Sequence, residues 1–149
     1  MSRPQYQKGV GLIEVLVTLL VLTTALIALA TLQTRALQFN HGSYIESQAN
    51  IYAYDILERM RANVLGNATL MTEYNLGQDG KSAADNAIAK RDIAQWQAGL
   101  ASSLPDGKGV INCVTATRIC TITILWSDVP ASKADASPKK AEFIYKTML

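Results

Sequence analysis

Residues 10–32 read VGLIEVLVTLLVLTTALIALATL: 17 of the 23 positions are Ala, Val, Ile or Leu, four are Thr, one is Gly11, and the single charge is Glu14. At about 1.5 Å per residue, a helix of this length covers roughly 34 Å, enough for a hydrocarbon core of about 30 Å. The run predicts a transmembrane helix. A secretory signal has a shorter apolar core of about 7 to 15 residues and a small-residue cleavage site, whereas this run continues into helical sequence. Arg3 and Lys8 precede it, so the positive-inside rule places the first residues in the cytoplasm and the bulk of the chain outside, a bias that Arg35 makes modest. Those two basic residues also account for the whole formal excess of +2, since 14 Lys+Arg stand against 12 Asp+Glu. Past residue 9 the signs are balanced and interspersed, which excludes a dedicated nucleic-acid-binding module.

Glu14 does not suit a plain anchor. An ionisable group costs about 2.5 to 3.5 kcal/mol at the middle of a membrane helix, somewhat less near its end. The helix dipole returns only about 0.3 to 1 kcal/mol. Lys8 lies six residues back, and no other charge appears before Arg35. If the chain is cut after Gly9, Val10 acquires an α-ammonium four residues before Glu14, on the same helix face. The carboxylate then has a counter-charge, on its own chain or on a neighbouring one, and membrane packing becomes a means of assembly.

The string Lys8-Gly9-Val10-Gly11-Leu12-Ile13-Glu14-Val15-Leu16-Val17 closely resembles the class III signal of type IV pilins and type II secretion pseudopilins. In that family a short basic leader ends in Gly, prepilin peptidase cuts after it on the cytoplasmic side, the new N-terminal residue is methylated, and the fifth mature residue is Glu. Counted from Val10, Glu14 is the fifth. The resemblance therefore implies cleavage between Gly9 and Val10, N-methylation of Val10 and a role for Glu14 in assembly. Val10 stands where Phe or Met is usual, and Gly11 where Thr or Ser is usual. Cleavage after Gly11 would leave Glu14 third, so Gly9 is the better site. A second block, Ala53-Tyr54-Asp55-Ile56-Leu57-Glu58-Arg59-Met60-Arg61-Ala62-Asn63, looks like the segment that PilV-type minor pilins carry near the end of the long helix. Trp96, Leu104-Pro105 and Trp126-Ser127-Asp128 also resemble that group.

The resemblance implies a structural minor pilin, held in the bacterial inner membrane by one helix with its head in the periplasm, then incorporated into a pilus. Its implied partners are prepilin peptidase, other minor pilins, the major pilin, an inner-membrane assembly platform and membrane lipid before assembly. Attachment, twitching motility or DNA uptake follow as downstream roles. A minor pseudopilin of type II secretion shares the leader and is the near alternative. A signal-anchored periplasmic binding protein or enzyme is the alternative from another class.

The residues predict an α+β fold of pilin-like layout, with a long N-terminal helix packed on a small antiparallel β-sheet head. Residues 1–9 form the leader, 10–32 the membrane half of the helix, and 33–149 the head. No Pro occurs between Gln5 and Leu104, so nothing forbids one helix from Val10 to about residue 65. Ile45, Ala49, Tyr52, Ile56, Met60 and Val64 form an apolar stripe along it. Asp55 with Arg59 and Glu58 with Arg61 suit an exposed opposite face. Gly66-Asn67 is the expected stop and Gly42 the weakest interior point. Residues 67–84 read as a loop, and Ala89, Ile93, Trp96, Leu100 and Leu104 predict a second helix over about 84–103. Turn chemistry at Pro105-Asp106-Gly107-Lys108-Gly109 leads to strands at 110–115 and 119–126, then a polar stretch and a last strand at 141–148.

If Val114 pairs with Ile119, Cys113 falls opposite Cys120, within reach of a disulfide in an oxidising compartment. Two free thiols or redox chemistry are the alternatives, although C-x6-C is not the redox C-x-x-C spacing and does not supply four zinc ligands. No metal or cofactor is expected, nor catalysis: His41 is the only histidine. Asp79-Gly80-Lys81 and Asp106-Gly107-Lys108 match neither an EF-hand loop nor a P-loop and read as turns. Trp96 and Trp126 read as core residues.

Overall fold

The computed structural model describes residues 11–82, 84–128 and 139–149. Gly9 and Val10 therefore lie outside the described residues, as does much of the polar stretch before the last strand. The elements run in the order α1 (Leu12–Val64), a 3-10 helix (Ala68–Tyr74), α2 (Ala87–Ser103), β1 (Lys108–Val114), β2 (Ile119–Asp128) and β3 (Lys139–Met148). The fold is α+β, with one long N-terminal helix and one three-stranded antiparallel sheet of order β1-β2-β3. The chain divides into two compact units, Met1–Asn40 and His41–Leu149. α1 is exposed through Tyr44, and its first buried side chain is Ile45.

Within the second unit, α1 buries Ile45, Ala49, Ala53, Ile56, Leu57, Met60 and Val64 on one face. Ala53 and Leu57 widen the expected stripe, and Tyr52 lies half-buried at its margin. The helix stops at Val64, where Gly66 takes a left-handed φ of +90° and the Asn67 N–H donates to the Val64 carbonyl at 2.8 Å.

Residues 67–84, expected as loop, contain the 3-10 helix. Its Asn67 cap accepts a bond from the Thr69 N–H at 3.1 Å, a local competition between side chain and backbone that apolar periodicity does not register. The 3-10 helix buries Met71 and Tyr74. Beyond it, Leu76 bridges Ser82 across a tight turn containing Gly80 at φ +75°, so Asp79-Gly80-Lys81 is a turn.

α2 begins at Ala87, slightly after the expected position, because Asn86 caps it: its side chain accepts the N–H of Ile88 and Ala89, both at 3.0 Å. The Glu73 carboxylate accepts the N–H groups of Asn86 at 2.9 Å and Asp85 at 2.5 Å, which hold it below the usual carboxylate range. Trp96 sits at the centre of the head, 1% exposed, and donates its Nε1–H to the Tyr52 carbonyl at 2.9 Å. A Cβ on Gly109 would strike the Trp96 ring, so β1 approaches the indole as closely as it does only because that position is glycine.

β1 and β2 pair in the register Val114↔Ile119 and Cys113↔Cys120, turned by four residues of which Arg118 adopts φ 55°. Cys113 and Cys120 form a disulfide with Cα atoms 4.1 Å apart. By loop closure a ring this short contributes about 2.5 kcal/mol. β1 and β3 begin two residues earlier than expected, and β2 ends two later. Ile111, Cys113, Cys120, Ile122, Ile124 and Trp126 make the buried face of the sheet, which shares one core with α1, α2 and the 3-10 helix.

Candidate functional site

Two regions carry chemistry that packing alone does not absorb: the N-terminal part of α1 and a polar cluster in the head. The first is long and apolar enough to cross a membrane, judged by length and composition. Its polar side chains are satisfied within the helix. Thr18 donates to the Val15 carbonyl at 2.9 Å, Thr23 to Leu20 at 2.9 Å, Thr24 to Val21 at 2.9 Å, and Thr31 to Ala28 at 2.7 Å. Hydroxyls bonded this way need no water, which suits a helix in lipid. Around them lie exposed Leu, Ile and Val side chains from Leu12 to Leu32.

Glu14 is the exception. It lies in the first turn of α1, where its N–H donates to the Gly11 carbonyl at 2.9 Å. Among the described residues no hydrogen bond or ion pair reaches its carboxylate, while the residues of the expected cleavage site, Gly9 and Val10, lie outside them. The head holds the other expected site residues, Cys113 and Cys120, joined to each other and remote from Glu14 in sequence.

The polar cluster lies between α1, the 3-10 helix and α2. Asp92, the one buried charged residue described, accepts the Tyr74 hydroxyl on Oδ2 at 2.8 Å. Arg59 binds Asp55 through Nε at 3.1 Å to both carboxylate oxygens, donates from Nη1 to Gln95 Oε1 at 2.9 Å, and lies 3.9 Å from Asp92. Asp55–Arg59 is therefore not merely an exposed-face pair, as the spacing suggested: Arg59 ties α1 to α2. Glu58–Arg61 does lie on the exposed side. The hydrogen bond and charge of Asp55 raise the Arg59 pKa above its usual value. The signal available in the sequence was Asp92 itself, an acid three residues after Ala89 on the apolar face of α2.

Burial, followed by the hydrogen bond to Asp92, pushes the Tyr74 pKa well above its ordinary value of 10.0. The unfolded chain loses that proton near its ordinary value while the folded chain keeps it, so folding stability falls as pH rises above about 10. Tyr74→Phe is expected to cost about 1 to 2 kcal/mol near neutral pH and to flatten that alkaline decline. Urea titrations of the two proteins at neutral and alkaline pH check both effects, and parallel declines would remove Tyr74 as the source.

At one end of the head, Gln78, Asp79, Gly80, Gln97 and Lys108 line a cleft of about 230 Å³. A neighbouring cleft of about 540 Å³ runs past Asp106, Leu125, Trp126, Ser127 and Lys140. Asp106 is occupied by the Ser127 hydroxyl at 2.8 Å. Trp96 and Trp126 both belong to the core. Among the described residues no three His, Cys, Asp or Glu side chains converge on a metal position. Comparison of the chain with protein-family models, curated proteins and solved structures finds no match in any of the three.

Proposed function

We propose that the protein is a structural minor pilin of a type IV pilus, most like the PilV type, cut by prepilin peptidase between Gly9 and Val10 and drawn into the assembly through α1. The observation that carries this reading is Glu14, the one charged residue in the exposed apolar part of α1 from Leu12 to Leu32, placed in the first turn without a counter-charge among the described residues. Cleavage supplies the missing partner as the α-ammonium of Val10, on the same chain or the next. An apolar helix leaves lipid for a bundle of like helices with little hydrophobic gain, so a carboxylate seeking an amine gives the step its direction and register. The α+β head then stands in the periplasm, where its disulfide is stable, and the partners are the peptidase, the other minor and major pilins and the inner-membrane platform.

The test is Gly9→Leu in cells that make the peptidase. A bulky residue before the scissile bond is expected to leave full-length precursor in the membrane and none in sheared fibres. Efficient removal of the leader from that variant would refute the assigned site.

A further inference from the structure

The two edges of the sheet are finished differently. On β1, Leu76 exchanges backbone bonds with Ile111, N–H to carbonyl at 2.9 and 3.1 Å, and the Cys113 N–H donates to Asn75 Oδ1 at 2.7 Å. That edge is sealed. On β3, no described element pairs along the outer side. The Leu149 N–H donates to the Arg118 carbonyl at 2.9 Å, and the β2–β3 register continues from that pair without interruption to Asp128↔Lys139. Antiparallel bonding alternates, so the odd-numbered residues of β3 face β2, and Lys140, Glu142, Ile144, Lys146 and Met148 turn their N–H and C=O groups outward. The side chains of these five residues are also exposed, Ile144 by 57% and Met148 by 66%. A regular edge with no proline within it is a template for a further strand.

We propose that this edge pairs with β3 of a second copy, antiparallel, about a two-fold axis through Ile144. Only registers that match outward-facing residues with one another can form the ladder, and charge and length of overlap select among them: an axis through Ala141 also sets Lys140 opposite Glu142 but pairs only residues 139–143. An axis through Glu142 opposes two acids, one through Lys146 opposes two lysines, and one through Phe143 sets Lys140 against Lys146. An axis through Tyr145 pairs no charges. The axis through Ile144 sets Glu142 opposite the second copy's Lys146 twice over and Ile144 opposite itself. On the other face it sets Phe143 opposite the second copy's Tyr145, an aromatic pair. Such an interface is isologous and closes as a dimer. The axis stands normal to the sheet and so reverses the strand direction of the second copy. The pairing involves the head alone and is independent of what becomes of the leader.

The experiment uses the full-length protein in detergent, with single substitutions Ile144→Cys, Glu142→Cys and Lys146→Cys under mild oxidation. Opposed residues at the axis lie about 5.5 Å apart, within disulfide reach, whereas like residues two positions from it lie about 14 Å apart. Ile144→Cys is therefore expected to give covalent dimer at least tenfold faster than the other two. Association through the apolar helix would not favour position 144. Lys146→Glu is expected to weaken the dimer at least tenfold in sedimentation equilibrium, and the double swap Glu142→Lys with Lys146→Glu to restore it. Ile144→Pro removes an outward N–H, leaves the β2–β3 ladder whole, and is expected to give monomer. Faster cross-linking through 142 or 146, an unchanged dimer in Lys146→Glu, or no recovery in the double swap overturns the proposal.

Discussion

Trp96→Ala is expected to cost the head about 3 to 5 kcal/mol, a large part of the 5 to 15 kcal/mol that holds an ordinary domain together. The indole is 1% exposed and lies where α1, α2 and β1 meet. Truncation removes its apolar area and leaves a cavity that three packed elements cannot jointly close. It also removes the donor that joins α2 to the Tyr52 carbonyl of α1. Gly109→Val reaches the same place from the opposite direction: its side chain would have to occupy space already filled by the ring, at an expected cost of about 1 to 3 kcal/mol. Urea unfolding of the detergent-solubilised protein, followed by circular dichroism, reads both. Loss of less than about 1 kcal/mol in Trp96→Ala would show that the head does not depend on this junction.

Glu14→Ala is expected to leave leader removal intact and to reduce incorporation into fibres about tenfold or more, the equivalent of roughly 1.4 kcal/mol or more of lost pairing. Alanine relieves the cost of holding a carboxylate in lipid, so the variant enters the membrane at least as readily as the parent. What it lacks is an attraction for the ammonium of Val10, its own or a neighbour's. Glu14→Gln separates charge from shape: it keeps the length and hydrogen-bonding capacity of the side chain and is expected to behave like alanine. The readout is the ratio of protein in sheared fibres to protein in membranes. Normal incorporation of Glu14→Gln would remove the ion pair from the mechanism even if alanine failed.

Much of the head is legible in the sequence because its periods are local. The stripe Ile45, Ala49, Ile56, Met60, Val64 marks the buried face of α1, and the alternation of Thr121 and Thr123 with Ile122 and Ile124 marks β2. Cys113 and Cys120 sit equally far from the centre of their hairpin, so a single assumed pair sets them opposite each other. The features that escape depend on contacts distant in sequence. Arg59 looks like half of a solvated i,i+4 pair until α2 brings Gln95 and Asp92 beside it. The sealing of β1 by Asn75 and Leu76 joins residues more than thirty positions apart, and no periodicity announces it. The 3-10 helix follows from the side-chain bonding of Asn67, which competes with the loop reading of a stretch rich in Asn, Asp, Gly and Thr. For Glu14 the sequence carries more than the fold does, because its expected counter-charge arises only by cutting the chain.

That cut is the point on which the account turns, and it can be read directly. Intact-mass and N-terminal analysis of the protein extracted from membranes of cells that assemble it is predicted to find a chain beginning at Val10 with one added methyl group on its amine. A functioning protein that retains Met1, or one that begins after Ala30, would contradict it.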